Sequence, residues 1–190
     1  MKALIKLHVG CGKRNFGQDW IHIDGGSFPH VTDHDVTLSG YENGSVDLIY
    51  SCHLLSYFDR SEAELLLLMW NKKLVRGGVL RIAVPDFENM YLAVRYNGFK
   101  LDDILGPLYG KMQMNEEIIY HKTCYDYFSL KALLEKTGFK NIHRYDWRKT
   151  MHVMFDDHSR AYLPHDPEAI KTGEFTDKHI PISLNLEATK

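Results

Sequence analysis

Short apolar runs alternate along this chain with glycine turns and amphipathic stretches. Leu4–Val9, closed by Gly10-Cys11-Gly12, reads as a buried strand entering a tight turn. Trp20–Asp24 (WIHID), Asp35–Leu38 and Ser45–Tyr50 (SVDLIY) predict three further strands, and Val79–Val84 (VLRIAV) a fifth that Pro85 stops. Ser61–Leu74 carries Leu65, Leu68, Met69 and Lys72 at helical spacing; Ser61 with Glu64 forms a capping-box pattern, and Gly77-Gly78 supplies a stop. Asp86–Asn97 predicts a helix ended by Gly98, and Ser129–Thr137 one capped by Ser129 and closed by Gly138. Asn141–Trp147 and Ile182–Ala188 read as the last strands. Lys100–Tyr127 shows no clear period, and Met151–Thr176, with Asp156-Asp157-His158, reads as an irregular polar stretch.

Strands alternating with helices predict an α/β fold: a doubly wound, mostly parallel sheet covered on both faces. Two strands near the C-terminus, split by a long excursion, place an antiparallel pair at one sheet edge, with the C-terminal strand as the edge strand. No composition shift marks a linker, so residues 1–190 form one domain.

The formal net charge of -2 provides no electrostatic pull toward nucleic acid or an acidic membrane. Three widely spaced cysteines without a CxxC pair argue against a disulfide framework or a zinc site. The histidines fall in no HExxH or similar spacing, so no metal is expected. The longest apolar run, Leu65–Trp70, is too short to span a bilayer, and the N-terminus lacks a leader's apolar stretch. A soluble, cytoplasmic protein is expected.

In open α/β sheets, ligands bind beyond the carboxyl ends of the strands where strand order reverses. Gly10 and Gly12 lie at such an end, where glycine permits positive φ and close backbone approach. Asp24, ending WIHID, supplies an acceptor-only carboxylate suited to a ribose diol. The interval from Gly12 to Asp24 is shorter than the roughly 20 residues of nicotinamide binders. Asn15 also replaces the third glycine of their fingerprint.

LHVGCGKRNFGQDWIHID resembles the first motif and second strand of class I S-adenosylmethionine-dependent methyltransferases of Rossmann-like fold. Within that superfamily the type 11-like proteins are similar, above all the small methyltransferases associated with sugar and polysaccharide genes, where a short loop replaces most of the first helix. DVTLSGYENGSVDLIYSCHLLSYF, LVRGGVLRIAVPDFENM, KALLEKTGF and SLNLEATK resemble the family's later segments in order. The resemblance implies S-adenosylmethionine as cofactor. It implies that Gly10, Cys11 and Gly12 line the methionine moiety and that Asp24 holds the ribose hydroxyls. Asp35, with Val36, would receive the adenine amino group; Ser51 and His53 would lie close to the sulfonium. Ser56-Tyr57 stands where many relatives have Glu-His, and Arg76 where they have Pro.

Methyl transfer is a direct displacement that needs alignment and, for a hydroxyl acceptor, proton removal. His53, beyond the fourth strand, Asp86, after Pro85, and His121 are the candidate catalytic groups, and the excursion carrying Asp157-His158 is a fourth candidate that would cap the site or else form a solvated loop. Each has a plainer reading: His53 as loop packing, Asp86 as a helix N-cap, His121 as a surface residue. The expected acceptor is a small molecule, with a saccharide hydroxyl suggested by the resemblance alone. A protein or nucleic-acid methyltransferase and a non-catalytic cofactor-binding module are the alternatives.

Overall fold

Residues 3–155 and 157–190 are described by the computed structural model; Met1, Lys2 and Asp156 lie outside the described residues. In chain order the elements begin with β1 (Lys6–Val9), β2 (Ile21–Ile23), β3 (Val46–Cys52), α1 (Arg60–Lys73) and β4 (Leu74–Pro85). Then come α2 (Phe87–Tyr96), α3 (Leu101–Tyr109), the hairpin β5 (Met112–Met114) and β6 (Glu117–Ile119), α4 (Tyr127–Lys136) and β7 (Lys140–Arg144). The chain closes with β8 (Tyr162–Leu163), α5 (Pro167–Thr172), β9 (Ile180–Pro181) and β10 (Ser183–Thr189).

The central sheet has the order β2-β1-β3-β4-β10-β7. Strands β2, β1, β3 and β4 are parallel, as alternating strand and helix patterns predicted. The C-terminal β10 runs antiparallel to β4 and to β7, and that antiparallel end closes one edge of the sheet with β7 outermost. Strand order reverses between β1 and β3, so the residues after Val9 and Cys52 flank the crevice where ligands bind in open sheets.

Several local boundaries differ from the pattern reading, each for a physical reason. The expected third strand at Asp35–Leu38 is a run of turns; only the Ile23–Asp33 bridge extends the sheet there. Asp59, not Ser61, caps α1: its carboxylate accepts from Ser61 N–H and Glu62 N–H, and Glu62 reaches back to Asp59 N–H. Gly77-Gly78 does not end that helix. Leu74 passes straight into β4, and the glycines form an irregularity between the pairings Val46–Leu74 and Leu48–Val79. Asp126 caps α4, with Ser129 as its capping-box partner.

One face of the sheet carries the helices. Ala63, Leu66, Leu67 and Trp70 of α1 and Leu130, Leu133 and Leu134 of α4 pack on Leu7, Ile49, Leu80, Ile82 and Leu186. Trp70 satisfies its buried Nε1–H by donating to Val36 O (2.8 Å), which ties the turn region after β2 to α1. Among the described residues, no α-helix covers the opposite face of β1 and β3. It is covered by an aromatic layer from the short first crossover and the excursion after β7: Phe16, Trp20 and Phe155 with Tyr50. His8 stacks on Phe16 (4.0 Å), and His152 packs on Phe16 and Tyr50 (5.1 and 4.2 Å).

This layer makes stability acid-sensitive. Burial holds His8 well below the ordinary histidine range, reinforced by His22 and His152, and brings His152 down to about 4. His22 is lowered by burial and by His30. Because these folded-state values lie below the unfolded one, the unfolded chain takes up protons first. Stability is therefore flat above about pH 7 and falls as the pH drops below about 6.5, with His152 contributing about 1.4 kcal/mol per pH unit down to about 4. Urea unfolding at pH 8, 6 and 5 measures this. Among the described residues both ring nitrogens of His152 lack a hydrogen-bond partner, so His152→Phe is expected to keep neutral-pH stability and flatten the acid slope. An unchanged slope would remove His152 as a contributor.

Candidate active site

The turn after β1 is shaped by its glycines. Gly10 has φ +75° and Gly12 φ +53°, and Gly10 and Cys11 donate their N–H groups to Ile23 O (2.8 and 3.3 Å). A Cβ on Gly10 would lie 2.7 Å from Leu54 Cβ, whereas one on Gly12 meets only the Arg14 guanidinium at 4.0 Å. Gly10→Ala is thus expected to cost about 1–2 kcal/mol from left-handed backbone and about 1–3 kcal/mol from overpacking. Gly12→Ala should lose only the first part. Denaturant midpoints of the two variants test the difference; equal losses would contradict the Leu54 contact.

Asp24 is buried beneath this turn. Its Oδ2 accepts from Gly12 N–H and its Oδ1 from Gly26 N–H, both at 2.7 Å. One carboxylate thereby joins the first glycine turn to the loop after β2, while each oxygen retains a second acceptor position. Gly10, Gly12, Asp24 and Val36 all line a cavity of about 490 Å³, with Phe28, Leu54, Phe58 and Met114 among its apolar walls.

The other expected cofactor residues have different settings. Cys11 is buried beside this cavity, and burial, with the Asp24 charge, pushes its thiol up to about 12. Asp35 turns onto its own chain: it accepts from Thr37 and Ser39, through backbone N–H at 2.9 Å and through both hydroxyls. Those bonds, the Ser39 hydroxyl first, hold its carboxyl down to about 2. Val36 beside it reaches the cavity wall. Ser51 is fully buried within β3, and its Oγ has no hydrogen-bond partner among the described residues.

A second cavity, about 580 Å³, adjoins the first. Arg14, His53, Tyr57, Met112 and His158 line both. Residues 14, 53, 57, 112 and 158 are brought together by the crossover after β1, the end of β3, the β5 hairpin and the terminal excursion. His53 is held by a left-handed backbone (φ +56°), with its N–H donating to Ala83 O (2.8 Å). Its ring stacks on His158 (5.3 Å, 26°), and its Nε2 lies 3.0 Å from Ser183 Oγ. Burial, then His158, His121 and Arg14, push its pKa well below the ordinary histidine value. The ring is therefore neutral near pH 7.

Of the other two catalytic candidates, His121 lines the second cavity and Asp86 does not line either. His121 donates Nδ1–H to Leu108 O (3.1 Å) and stands edge-on to Tyr57 (4.6 Å, 71°). Tyr57 donates its hydroxyl to Gly110 O (2.6 Å). Tyr57 thus anchors the chain ahead of the β5 hairpin, and Ser56 beside it is buried. Asp86 caps α2 through Asn89 N–H (3.3 Å) and faces Arg144 at 3.6 Å. Burial raises its pKa.

Arg14 carries no pocket signal in the sequence. His158 sits in a stretch without periodicity, and only the fold sets it against His53. Among the described residues, no group of three or more His, Cys, Asp or Glu could hold a metal ion, and no helix is long and apolar enough to cross a membrane.

No family model matches this sequence, and no curated protein matches it. Solved structures do. An S-adenosylmethionine-dependent methyltransferase from Archaeoglobus fulgidus superposes with a TM-score of 0.58 at 15% identity, covering 99% of this chain and 86% of that one. One from Methanosarcina mazei gives 0.57 at 16%, covering 100% and 94%. One from Mesorhizobium loti gives 0.55 at 15%, covering 99% and 91%. The chain has the class I fold shared by S-adenosylmethionine-dependent methyltransferases.

Proposed function

We propose that this protein transfers a methyl group from S-adenosylmethionine to a hydroxyl of a small-molecule acceptor. The observation that carries this reading is the meeting of two cavities at His53, one built on a glycine turn and a buried carboxylate. The first cavity fits the cofactor's chemistry. Its volume falls in the range of about 300–1,000 Å³ usual for small-molecule sites. Asp24 provides acceptors for a ribose diol, Phe28, Val36 and Phe58 provide apolar walls for a purine, and Gly10–Gly12 lets backbone approach the remainder. When bound, the cofactor supplies an electrophilic methyl group.

The chain's own part is positioning and proton removal. The acceptor hydroxyl occupies the second cavity, and His53 takes its proton as the neutral imidazole. Asp35 acts through its turn, which carries Val36 into the cofactor wall, rather than as a direct adenine ligand. His121 orients the acceptor. Asp86 serves α2. Asp103, Lys111, His165 and Tyr162 in the second cavity suit a polyhydroxylated ring, so a saccharide is the acceptor class to try first.

Calorimetric titration with S-adenosylmethionine and with NAD, followed by transfer of a labelled methyl group to a panel of monosaccharides and phenols, tests the proposal. Binding of the first alone, with label in a panel compound, is expected. Failure to bind S-adenosylmethionine would overturn the reading. Binding without turnover would favour a non-catalytic module.

A further inference from the structure

His53 can remove a proton only through a ring nitrogen that carries a lone pair, and the neutral ring has one such nitrogen. Which one it is follows from a hydrogen-bond chain behind the ring. Ser183 and Asn185 stand two residues apart on β10, so their side chains share one face of the strand. Asn185 donates Nδ2–H to Ser159 O (2.8 Å), which orients its amide and turns Oδ1 toward Ser183. Ser183 Oγ lies 2.9 Å from that oxygen. A carbonyl oxygen can only accept, so the Ser183 hydroxyl proton points to Asn185. Ser183 Oγ then meets His53 Nε2 at 3.0 Å as the acceptor, and the imidazole proton must sit on Nε2.

The chain is anchored at its far end. Ser159, whose carbonyl orients Asn185, is itself held by Asp157, which accepts from its N–H (2.9 Å) and its hydroxyl (2.5 Å). Asp157 also accepts from the Tyr50 hydroxyl. Ser183, Asn185, Ser159 and Asp157 are all buried, where a fully satisfied polar network fixes one arrangement.

We infer that Ser183 and Asn185 are positioning residues that hold His53 in the Nε2–H tautomer and leave Nδ1 as the nitrogen that accepts the acceptor's proton. The inference rests on the reading of His53 as the base and says how the fold sets that base. The groups facing His53 from other elements are His158 of the terminal excursion, His121 after the β5–β6 hairpin and Arg14 of the first crossover.

The test is nitrogen-15 NMR of the ligand-free protein labelled at histidine, at pH 7. Wild type is expected to show His53, assigned by its loss in His53→Gln, with Nε2 protonated and Nδ1 unprotonated. Ser183→Ala should replace this pair by tautomer-averaged shifts, Asn185→Leu should do the same, and Ser183→Thr should restore the wild-type pair. With a panel compound as acceptor, Ser183→Ala should lower kcat by about 10-fold or more at little change in KM for the cofactor. A wild-type spectrum with the proton on Nδ1, or shifts unchanged in both Ser183→Ala and Asn185→Leu, would overturn the inference. Methyl transfer unchanged in His53→Gln would overturn the base itself, a result separate from either spectrum.

Discussion

His53→Gln is expected to slow methyl transfer by about 10²–10⁴-fold, the range for loss of a positioned general base, while S-adenosylmethionine still binds. Glutamine keeps polar bulk in the wall between the two cavities but cannot take a proton near neutral pH. The pH profile adds a second, independent readout. His53 lies well below the ordinary histidine value through burial and its His158, His121 and Arg14 neighbours. A base is active when neutral, so a lowered pKa extends activity toward acid. The wild-type rate should stay level through pH 6.5, where an ordinary histidine would halve it, and fall only at lower pH. A bend at 6.5 that survives in His53→Gln would assign the base elsewhere, with His121 next in line because it too lines the second cavity.

Asp24→Ala should produce the largest loss of cofactor affinity and also lower stability. The carboxylate binds Gly12 N–H and Gly26 N–H at 2.7 Å each. Removing it leaves two backbone donors without their partner, at about 1–3 kcal/mol per buried donor. The ribose acceptor goes with it, which weakens S-adenosylmethionine binding by about 10–100-fold. Asp24→Asn retains one carbonyl oxygen and should fall between wild type and alanine in both measurements. Calorimetry and thermal unfolding read the two effects separately. Unchanged affinity in a folded Asp24→Ala protein would remove Asp24 from the cofactor site.

Much of this was legible along the chain. β1, its glycine turn and Asp24 form one continuous segment, so local patterning and the chemistry of glycine and carboxylate sufficed to identify them. β4 and α2 were equally plain, because VLRIAVP and the following Asp86 carry a buried run, a stop and a cap in sequence. Helix starts were less secure. Two acceptors often compete within a turn, and Asp59 and Asp126, each at the extended residue before the helix, were the caps rather than Ser61 and Ser129. Around Asp35 the sequence was silent on local bonding: hydroxyls two and four residues on, which no periodicity argument weighs, engage both carboxylate oxygens.

The sequence by itself determined the parallel α/β class, the glycine turn after β1 and the acid that follows β2, because these depend on hydrophobic period and on neighbouring residues. The tertiary structure alone decided that His53 meets His158 and Ser183, that Tyr57 and His121 anchor the chain around the β5 hairpin, and that an aromatic and histidine layer replaces helices on one sheet face. The Tyr57–Gly110 and His53–Ser183 pairings join residues 53 and 130 positions apart, and only strand order and register set their distance. Insertion of β10 between β4 and β7 puts Ser183 opposite Pro85, at the end of the sheet where β3 releases His53. No local pattern carries that information, because a side chain's partner across a sheet is selected by the packing of the whole core.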